Sequence, residues 1–407
     1  DSMKNYSTVK RYFESELIKY PKEATVSLNM NSVKIVKSYE DKNYIGFEAV
    51  STSLTGICKH CGQVISRFKQ YKTTYTTVAK FNNKNIILKW KKKMYKCPDC
   101  SASSTENLLG CSGRNQKSDS FIESMLEYLK ETMSFSAVAR LHKVSVSNVI
   151  QHFDKASFVE TDVDRTKVKN ISVDEVRFVR QKYANYQFVI MDSDTQKVLD
   201  VIRTRQQEVI RDHLAKHYSG IQTFTQDLWR PYKNVAYALF PKTKVIADRF
   251  HVVRQFMWAF SRTRIALAKE QKKASNKNWK LLTKAKKALS EKGKQKLDLL
   301  LAKDPRLNLA HQVKEMALEL FRCKDRESYS ALLPAFKELI YTNHLVEFQK
   351  AYSSIENWHC EILNMFDYPY SNGTMERINR SIKQSKNIAF GFTNLIRATK
   401  LIQYRIN

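Results

Sequence analysis

The sequence predicts an α/β domain on a mixed five-stranded sheet, split by an all-helical insertion and preceded by two small N-terminal modules. Three observations carry that expectation. Between residues 166 and 260, β-rich runs and helical stretches follow in the order β-β-β-α-β-α-β. From 261 to 355 the periodicity is helical throughout, and a polar, capped helix pattern returns in 356–407. Ahead of both stand two close cysteine pairs, Cys58-Lys-His-Cys61 and Cys97-Pro-Asp-Cys100.

Composition limits the function. The 407 residues exceed what one hydrophobic core usually holds, so two to four structural units are expected. Hydrophobic residues at 43% and aromatics at 11% suffice for packed cores rather than disorder. The 70 basic against 40 acidic residues leave a formal charge of +30, a self-repulsion that favours a polyanionic partner. No stretch approaches the length of a transmembrane helix and no signal peptide opens the chain, so nucleic acid is preferred to a membrane surface and the cytoplasm is the expected location.

The N-terminal elements follow in order. Residues 1–50 form a lead-in segment: Tyr6–Tyr20 reads as a helix stopped by Pro21, and Val33–Val36 and Tyr44–Val50 alternate like half-buried strands. In 51–112 the cysteine pairs flank β-like stretches, Thr73–Phe81 and Asn85–Trp90. This is a zinc-ribbon pattern, with Cys58, Cys61, Cys97 and Cys100 as four thiolates for one structural Zn²⁺. His60, inside the first pair, is either a bystander or an alternative ligand. Cys111, Cys323 and Cys360 read as buried thiols. Lys89, Lys91, Lys92, Lys93 and Lys96 form either a solvated face or a phosphate-contacting edge. In 113–165, Phe121, Met125, Leu126 and Leu129 recur at helical spacing, and two short helices separated near Lys143-Val144 fit a helix-turn-helix. Its second helix turns Val149, Ile150 and Phe153 inward and Ser147, Asn148, Gln151, His152 and Lys155 outward, towards a major groove; the alternative is a plain helical linker.

In 166–260, strands are expected at Ile171–Val179, Tyr186–Met191, Val198–Arg203, Ile221–Gln226 and Thr243–Ala247, with helices at Gln206–Lys216 and Trp229–Leu239. That is a ribonuclease H-like order. It puts Asp174 on the first strand and Asp227 at the end of the fourth, so acids 53 apart (227 − 174) converge if those strands are neighbours. Glu175 falls on the opposite face from Asp174. The insertion, 261–355, is lysine-rich and is read as a phosphate-binding surface or a solvated one. In 356–407, Ser371 or Asn372 caps a helix that puts Glu376, Asn379, Arg380 and Lys383 on one side and Met375, Ile378 and Ile382 on the other. Two strand acids plus a helix glutamate suit two divalent cations that activate water and stabilise a leaving 3′ oxygen.

Together the segments Ser172-Val-Asp-Glu-Val, Asp227-Leu-Trp-Arg-Pro-Tyr, Ala247-Asp-Arg-Phe-His-Val-Val-Arg and Ser371-Asn-Gly-Thr-Met-Glu-Arg-Ile-Asn-Arg-Ser-Ile-Lys, with Ala389-Phe-Gly-Phe after it, resemble the DDE transposases of bacterial insertion sequences, of the ISL-three type. The resemblance runs from Cys58 nearly to the C-terminus. It implies a catalytic triad of Asp174, Asp227 and Glu376 holding two Mg²⁺, and a helical insertion before the glutamate, matching the 149-residue gap (376 − 227). Asp248-Arg-Phe-His251 resembles a short signature of transposases with such insertions, which makes His251 a further site residue beside DNA or a packed core histidine. Met375 departs from the small or β-branched residue commoner before the glutamate. The implied activity is strand cleavage and strand transfer at terminal inverted repeats, by a bacterial, nucleoid-associated protein acting as a homodimer on double-stranded DNA. The alternatives are a catalytically inactive regulator and a structure-selective nuclease.

Overall fold

The structure, a computed structural model, describes residues 33–107, 110–111, 116–131, 133–158, 163–179, 186–271, 278–389, 392 and 394–407. The expected helix at Tyr6–Tyr20 lies outside the described residues. The chain divides into two compact units, Asp1–Ser157 and Phe158–Asn407.

In the first unit, β1 (Val33–Glu40) and β2 (Tyr44–Ser51) form an antiparallel pair, and a two-stranded ribbon follows, β3 (Gly56–Ile57) with β4 (Val64–Ile65). Long strands β5 (Phe68–Phe81) and β6 (Lys84–Lys96) turn at Asn82-Asn83, both at positive φ, and β7 (Ser103–Thr105) adds to the end of β6. One sheet of order β1-β2-β6-β5 results, with β2 and β6 parallel. Residues expected to be a separate lead-in thus share hydrogen bonds and a core (Phe47, Leu88, Trp90) with the strand that carries the second cysteine pair. That strand is interior. Lys91, Lys92 and Lys93 therefore alternate between its two faces rather than lining an edge.

Three helices close the unit: α1 (Asp119–Lys130), α2 (Phe135–His142) and α3 (Val146–Lys155). Each starts at a serine, Ser118, Ser134 or Ser145, whose hydroxyl accepts from the backbone N–H three residues on. Lys143 ends α2 in the left-handed region at φ 53°, making a tight turn into α3. Val149 and Phe153 are fully buried.

The second unit is built on β8 (Asn170–Val176), β9 (Gln187–Asp192), β10 (Val198–Ile202), β11 (Thr223–Gln226) and β12 (Lys244–Ala247), in the order β10-β9-β8-β11-β12. The first three are antiparallel neighbours; β8, β11 and β12 run parallel. Alternate side chains face opposite ways. Ile171 and Val173 pack with α4 (Gln207–His217) and α5 (Arg230–Leu239) through Ile210, Leu214, Val235 and Ala236. On the other face, Val176, Val189 and Met191 meet Met375, Ile378 and Ile382 of α13 (Gly373–Ile388) and Ala398 and Ile402 of α14 (Leu395–Ile406). Between lie α6 (Arg249–Glu270), α7 (Trp279–Thr283), α8 (Glu291–Leu301), α9 (Pro305–Leu320), α10 (Arg326–Thr342), α11 (Val346–Asn357) and α12 (His359–Asp367). Their shared core runs without a break from Ile246 and Ala247 through Phe256, Phe336 and Ile355 to Met365. The helical part is thus an outgrowth of β12, anchored where Asn364 donates to the Val245 carbonyl (2.8 Å). No described helix is long and apolar enough to cross a membrane.

Candidate active site

Parallel pairing decides which acids meet. Thr223 sits opposite Asn170, an offset of 53, and continuing that register puts Asp227 beside Asp174. Thr223 also sits opposite Lys244, an offset of 21, which puts Asp248 beside Asp227. With strands about 4.8 Å apart, three aspartates stand in a row across the carboxyl ends of β8, β11 and β12. Such ends are open, because the chain leaves the sheet there and the helices pack on its faces. A cavity of about 680 Å³ opens over the row, lined also by His251, Glu376, Asn379, Arg380 and Lys383.

Charge is unevenly settled in that row. Burial, and then the charge of Asp227, push the Asp174 carboxyl up to about 7. Its Oδ2 accepts a 2.6 Å hydrogen bond from Asn379 Nδ2, and its Oδ1 accepts from the Glu175 amide (2.7 Å). Asp248 caps α6 through the Phe250 amide. His251, one turn on, places Nδ1 2.6 Å from Asp248 Oδ2 and 2.8 Å from Asp227 Oδ1. Burial alone would lower the imidazole pKa; the hydrogen bonds and charges of Asp227 and Asp248 outweigh it and hold it at about 9. In the metal-free site His251 is therefore a charge partner of both acids. Its one Nδ1 proton serves Asp248, and the buried Asp227 Oδ1 is left with the 2.8 Å ion pair to the same nitrogen and no hydrogen bond of its own among the described residues.

That orphaned oxygen beside a half-neutralised Asp174 is the fit test for a cation. The donors facing the cavity are carboxylate oxygens, the hard set that Mg²⁺ and its like prefer. Asp227, Asp248 and His251 also bring three ligand-type atoms within 4.8 Å of one another. Glu376 is placed differently. It lines the same cavity from α13, but its carboxylate is exposed, stands outside that cluster and pairs with Arg380 at 3.4 Å. The residue of α13 that touches Asp174 is Asn379. The helix orientation expected from sequence holds: Met375, Ile378 and Ile382 are buried, and Arg380 and Lys383 are exposed. The cap does not. Asn372 makes no capping bond; its Nδ2 donates instead to the Val173 carbonyl (3.2 Å), pinning the start of α13 to β8.

A transposase family model, the DDE type of ISL-three insertion sequences, matches residues 171–400, more than half of the chain, a span that includes Asp174, Asp227, His251 and Glu376. The chain belongs to this transposase family. No curated protein matches it. Among solved structures, it is similar to the Drosophila P element transposase strand transfer complex, at 12% identity and a TM-score of 0.36 over 70% of this chain and 91% of that one. A likeness that distant says nothing of the site.

Two residues of the transposase cavity, Asp248 and Asn379, are placed by sequence only near the site, Asp248 in the His251 signature and Asn379 on the Glu376 side of its helix, with no role attached. Asp248 shares its strand-end position with Asp227, a signal visible only once the register is known. Glu175 does face away from Asp174, accepting from Tyr232 (2.5 Å) and Arg205 (3.1 Å).

The second cluster is in the first unit. Cys58 Sγ lies 3.5 Å from Cys100 Sγ and Cys61 Sγ 3.6 Å from Cys97 Sγ, with all four within 4.8 Å. The two turns share one construction. In each, the first cysteine's amide donates to the carbonyl five residues on (Gln63 and Ala102, both 2.8 Å), and the residue after the second cysteine has positive φ, Gly62 at 78° and Ser101 at 58°. Backbone amides of Cys61 and His60 lead in pulling the Cys58 thiol down, while at Cys61 and Cys100 the crowding of the four sulfurs outweighs such amides and holds the thiols up, as expected of thiols that ionise together only on a cation. This four-sulfur set fits zinc, and His60 is not part of it.

Of the other nucleic-acid candidates, Ser147, Gln151 and Lys155 are exposed along α3, while Asn148 and His152 are half-buried. Lys91 is exposed, Lys92 lies over the Trp90 ring, and the Lys93 amine donates to the Ser53 carbonyl (2.7 Å).

Proposed function

We propose that this transposase cleaves DNA at the terminal inverted repeats of its insertion sequence and joins the freed 3′ ends to target DNA in a ribonuclease H-like domain, using Asp174, Asp227 and Glu376. The observation that carries the reading is the aspartate row: two in-register carboxylates, one with an unsatisfied oxygen, under a cavity that Glu376 also lines. Asp174, Asp227 and Glu376 would hold two Mg²⁺. When bound, the ions supply a nucleophilic water at neutral pH and charge stabilisation for the leaving 3′ oxygen. Asn379 fixes the Asp174 carboxylate so that its second oxygen points the same way throughout. His251, kept charged by Asp227 and Asp248, holds those two acids side by side against their repulsion. Arg380 and Lys383, exposed on the cavity side of α13, meet the phosphates that flank the cleaved bond.

The first unit is the end-recognition part of the proposal. The α2–turn–α3 pair is a helix-turn-helix whose Ser147, Asn148, Gln151, His152 and Lys155 address a major groove, and zinc at Cys58, Cys61, Cys97 and Cys100 fixes the ribbon, beside which the exposed Lys91 adds a phosphate contact. Pairing two ends calls for two protomers on DNA. Incubating the full chain with duplexes of its element's terminal repeats and Mg²⁺, and mapping the nicked strand, tests this. Cleavage is expected at the repeat boundary, to be abolished by Asp174→Asn while repeat binding persists. Cleavage that survives in Asp174→Asn sinks the triad, and cleavage indifferent to the repeats identifies a structure-selective nuclease instead.

A further inference from the structure

Large aromatic rings stand exposed around a cavity whose floor is acidic. Trp229 is 46% exposed, Phe250 54% and Trp258 46%. Single exposed rings are ordinary, but several grouped at one cavity mark an interaction site. Their positions follow from the strand ends. Trp229 comes two residues after Asp227, held by its amide to the Asp227 carbonyl (2.7 Å), and Phe250 comes two residues after Asp248. Two of the three acids of the row, Asp227 and Asp248, therefore carry a ring at the shoulder.

The rings are interleaved with guanidinium groups. On one side Arg205 lies 5.2 Å over the Tyr186 ring and 5.9 Å from Trp229, and is itself tied to Glu175. On the other, Phe250, Arg254 and Trp258 are spaced at four-residue intervals on one stripe of α6, with the Arg254 guanidinium 5.5 Å from the first ring and 4.8 Å from the second. Arg254 Nε is buried without a hydrogen-bond partner among the described residues. Rings that stack and cations that meet phosphate, alternating along a groove, are what an unpaired strand needs: each base offers a flat face whatever its identity. A protein docking here would have to cover these arginines beside three carboxylates, whereas a polyanion with exposed bases satisfies both kinds of group.

We infer that Trp229 and Phe250 are stacking platforms for unpaired bases on either side of the phosphate presented to the aspartates, so that the site takes locally opened rather than fully paired DNA. Trp258 extends the Phe250 side and Arg254 clamps the backbone between. The inference rests on the transposase reading for where the strand runs, but its test needs neither repeats nor cleavage.

The test uses the full, zinc-loaded chain without added Mg²⁺, with two fluorescently labelled 30-base-pair DNAs of one arbitrary sequence, one fully paired and one with a central three-nucleotide bubble. Fluorescence anisotropy gives the ratio of their affinities at one salt concentration, and 2-aminopurine in the bubble reports stacking through quenching. The wild-type chain is expected to favour the bubble by about tenfold or more and to quench the probe. Trp229→Ala and Phe250→Ala should each reduce that ratio by roughly five- to a hundredfold, to a floor near one, with Trp229→Phe restoring it. Melting temperatures identify any variant that fails to fold, and Trp229→Phe then decides. A wild-type ratio near one, or a ratio indifferent to both alanine variants, overturns the inference. A change in sedimentation of Trp229→Ala with an unchanged ratio assigns the rings to a protein interface instead. Bubble preference in a chain that never cuts its repeats would refute the proposed activity and leave this inference standing.

Discussion

At the scale of single residues, the aspartate row sets how stability should follow pH. With Asp174 held up to about 7, the folded protein keeps a proton that the unfolded chain gives up near pH 3.9, so metal-free stability declines as pH rises from about 4 to about 7. His251 acts in the same direction. Its raised value near 9 contributes stability that is complete below about pH 6.5 and lost as pH rises through 9. The melting temperature of the second unit in zinc-loaded, Mg²⁺-free protein is therefore expected to fall from about pH 5 to pH 9, and Mg²⁺ to restore most of the loss at the alkaline end. Asp174→Asn should flatten the lower half of the curve; a variant profile that superimposes on the wild type would show that Asp174 is not the group responsible. Asp200 works the opposite way: half-buried, but hydrogen-bonded by His213, Arg165 and Tyr218, its carboxyl lies well below the usual range, so its contribution fades only in strong acid.

At the scale of elements, α13 is held by Met375, Ile378 and Ile382 against β8 and β9. Ile378→Ala should cost about 2–5 kcal/mol in denaturant unfolding, because its cavity opens between helix and sheet. It should also lower cleavage, since Asn379 and Glu376 ride on the same helix; full activity in that variant would show that the acids do not depend on α13 being seated. In the first unit, a strong chelator, or Cys97→Ser, should release one zinc per chain and lower the melting transition of that unit alone, as read by calorimetry and metal analysis. How much of this could be read from sequence depends on which force makes each feature. The strands at 187–192, 198–202 and 244–247 announce themselves as mostly apolar runs because burial on both faces demands them, and those at 170–176 and 223–226 by alternating apolar and small polar residues. The buried side of α13 shows in its own periodicity. Asp248 beside Asp227 does not, because register is a property of two strands and neither sequence alone carries it. The same blindness made Lys91–Lys93 look like an edge: β6 looks polar enough to be one, and only its pairing with β2 and β5 makes it interior. Asn372 was legible as a cap by residue type, but its side-chain amide is turned to the Val173 carbonyl of β8, a partner that only the fold supplies.

At the scale of the whole molecule, a formal charge of +30 predicts binding governed by released counterions. If six to ten phosphates are contacted, affinity for any duplex should fall about 10³- to 10⁵-fold between roughly 50 and 200 mM salt, a slope measurable by anisotropy titration. A flat salt response would mean that the basic residues face something other than a phosphate backbone. The parallel register behind the aspartate row has a further consequence, for what the chain tolerates. The site is addressed by offsets within strands and not by the lengths of the loops between them, which is how some 130 residues, mostly helical, fit between Asp248 and Glu376. A reporter peptide spliced into the turn at Pro241–Thr243 should thus be carried without harm to chemistry. One extra residue inside Thr223–Gln226 would instead swing Asp227 to the face covered by α4 and α5, disabling the enzyme by an insertion smaller than any loop would notice.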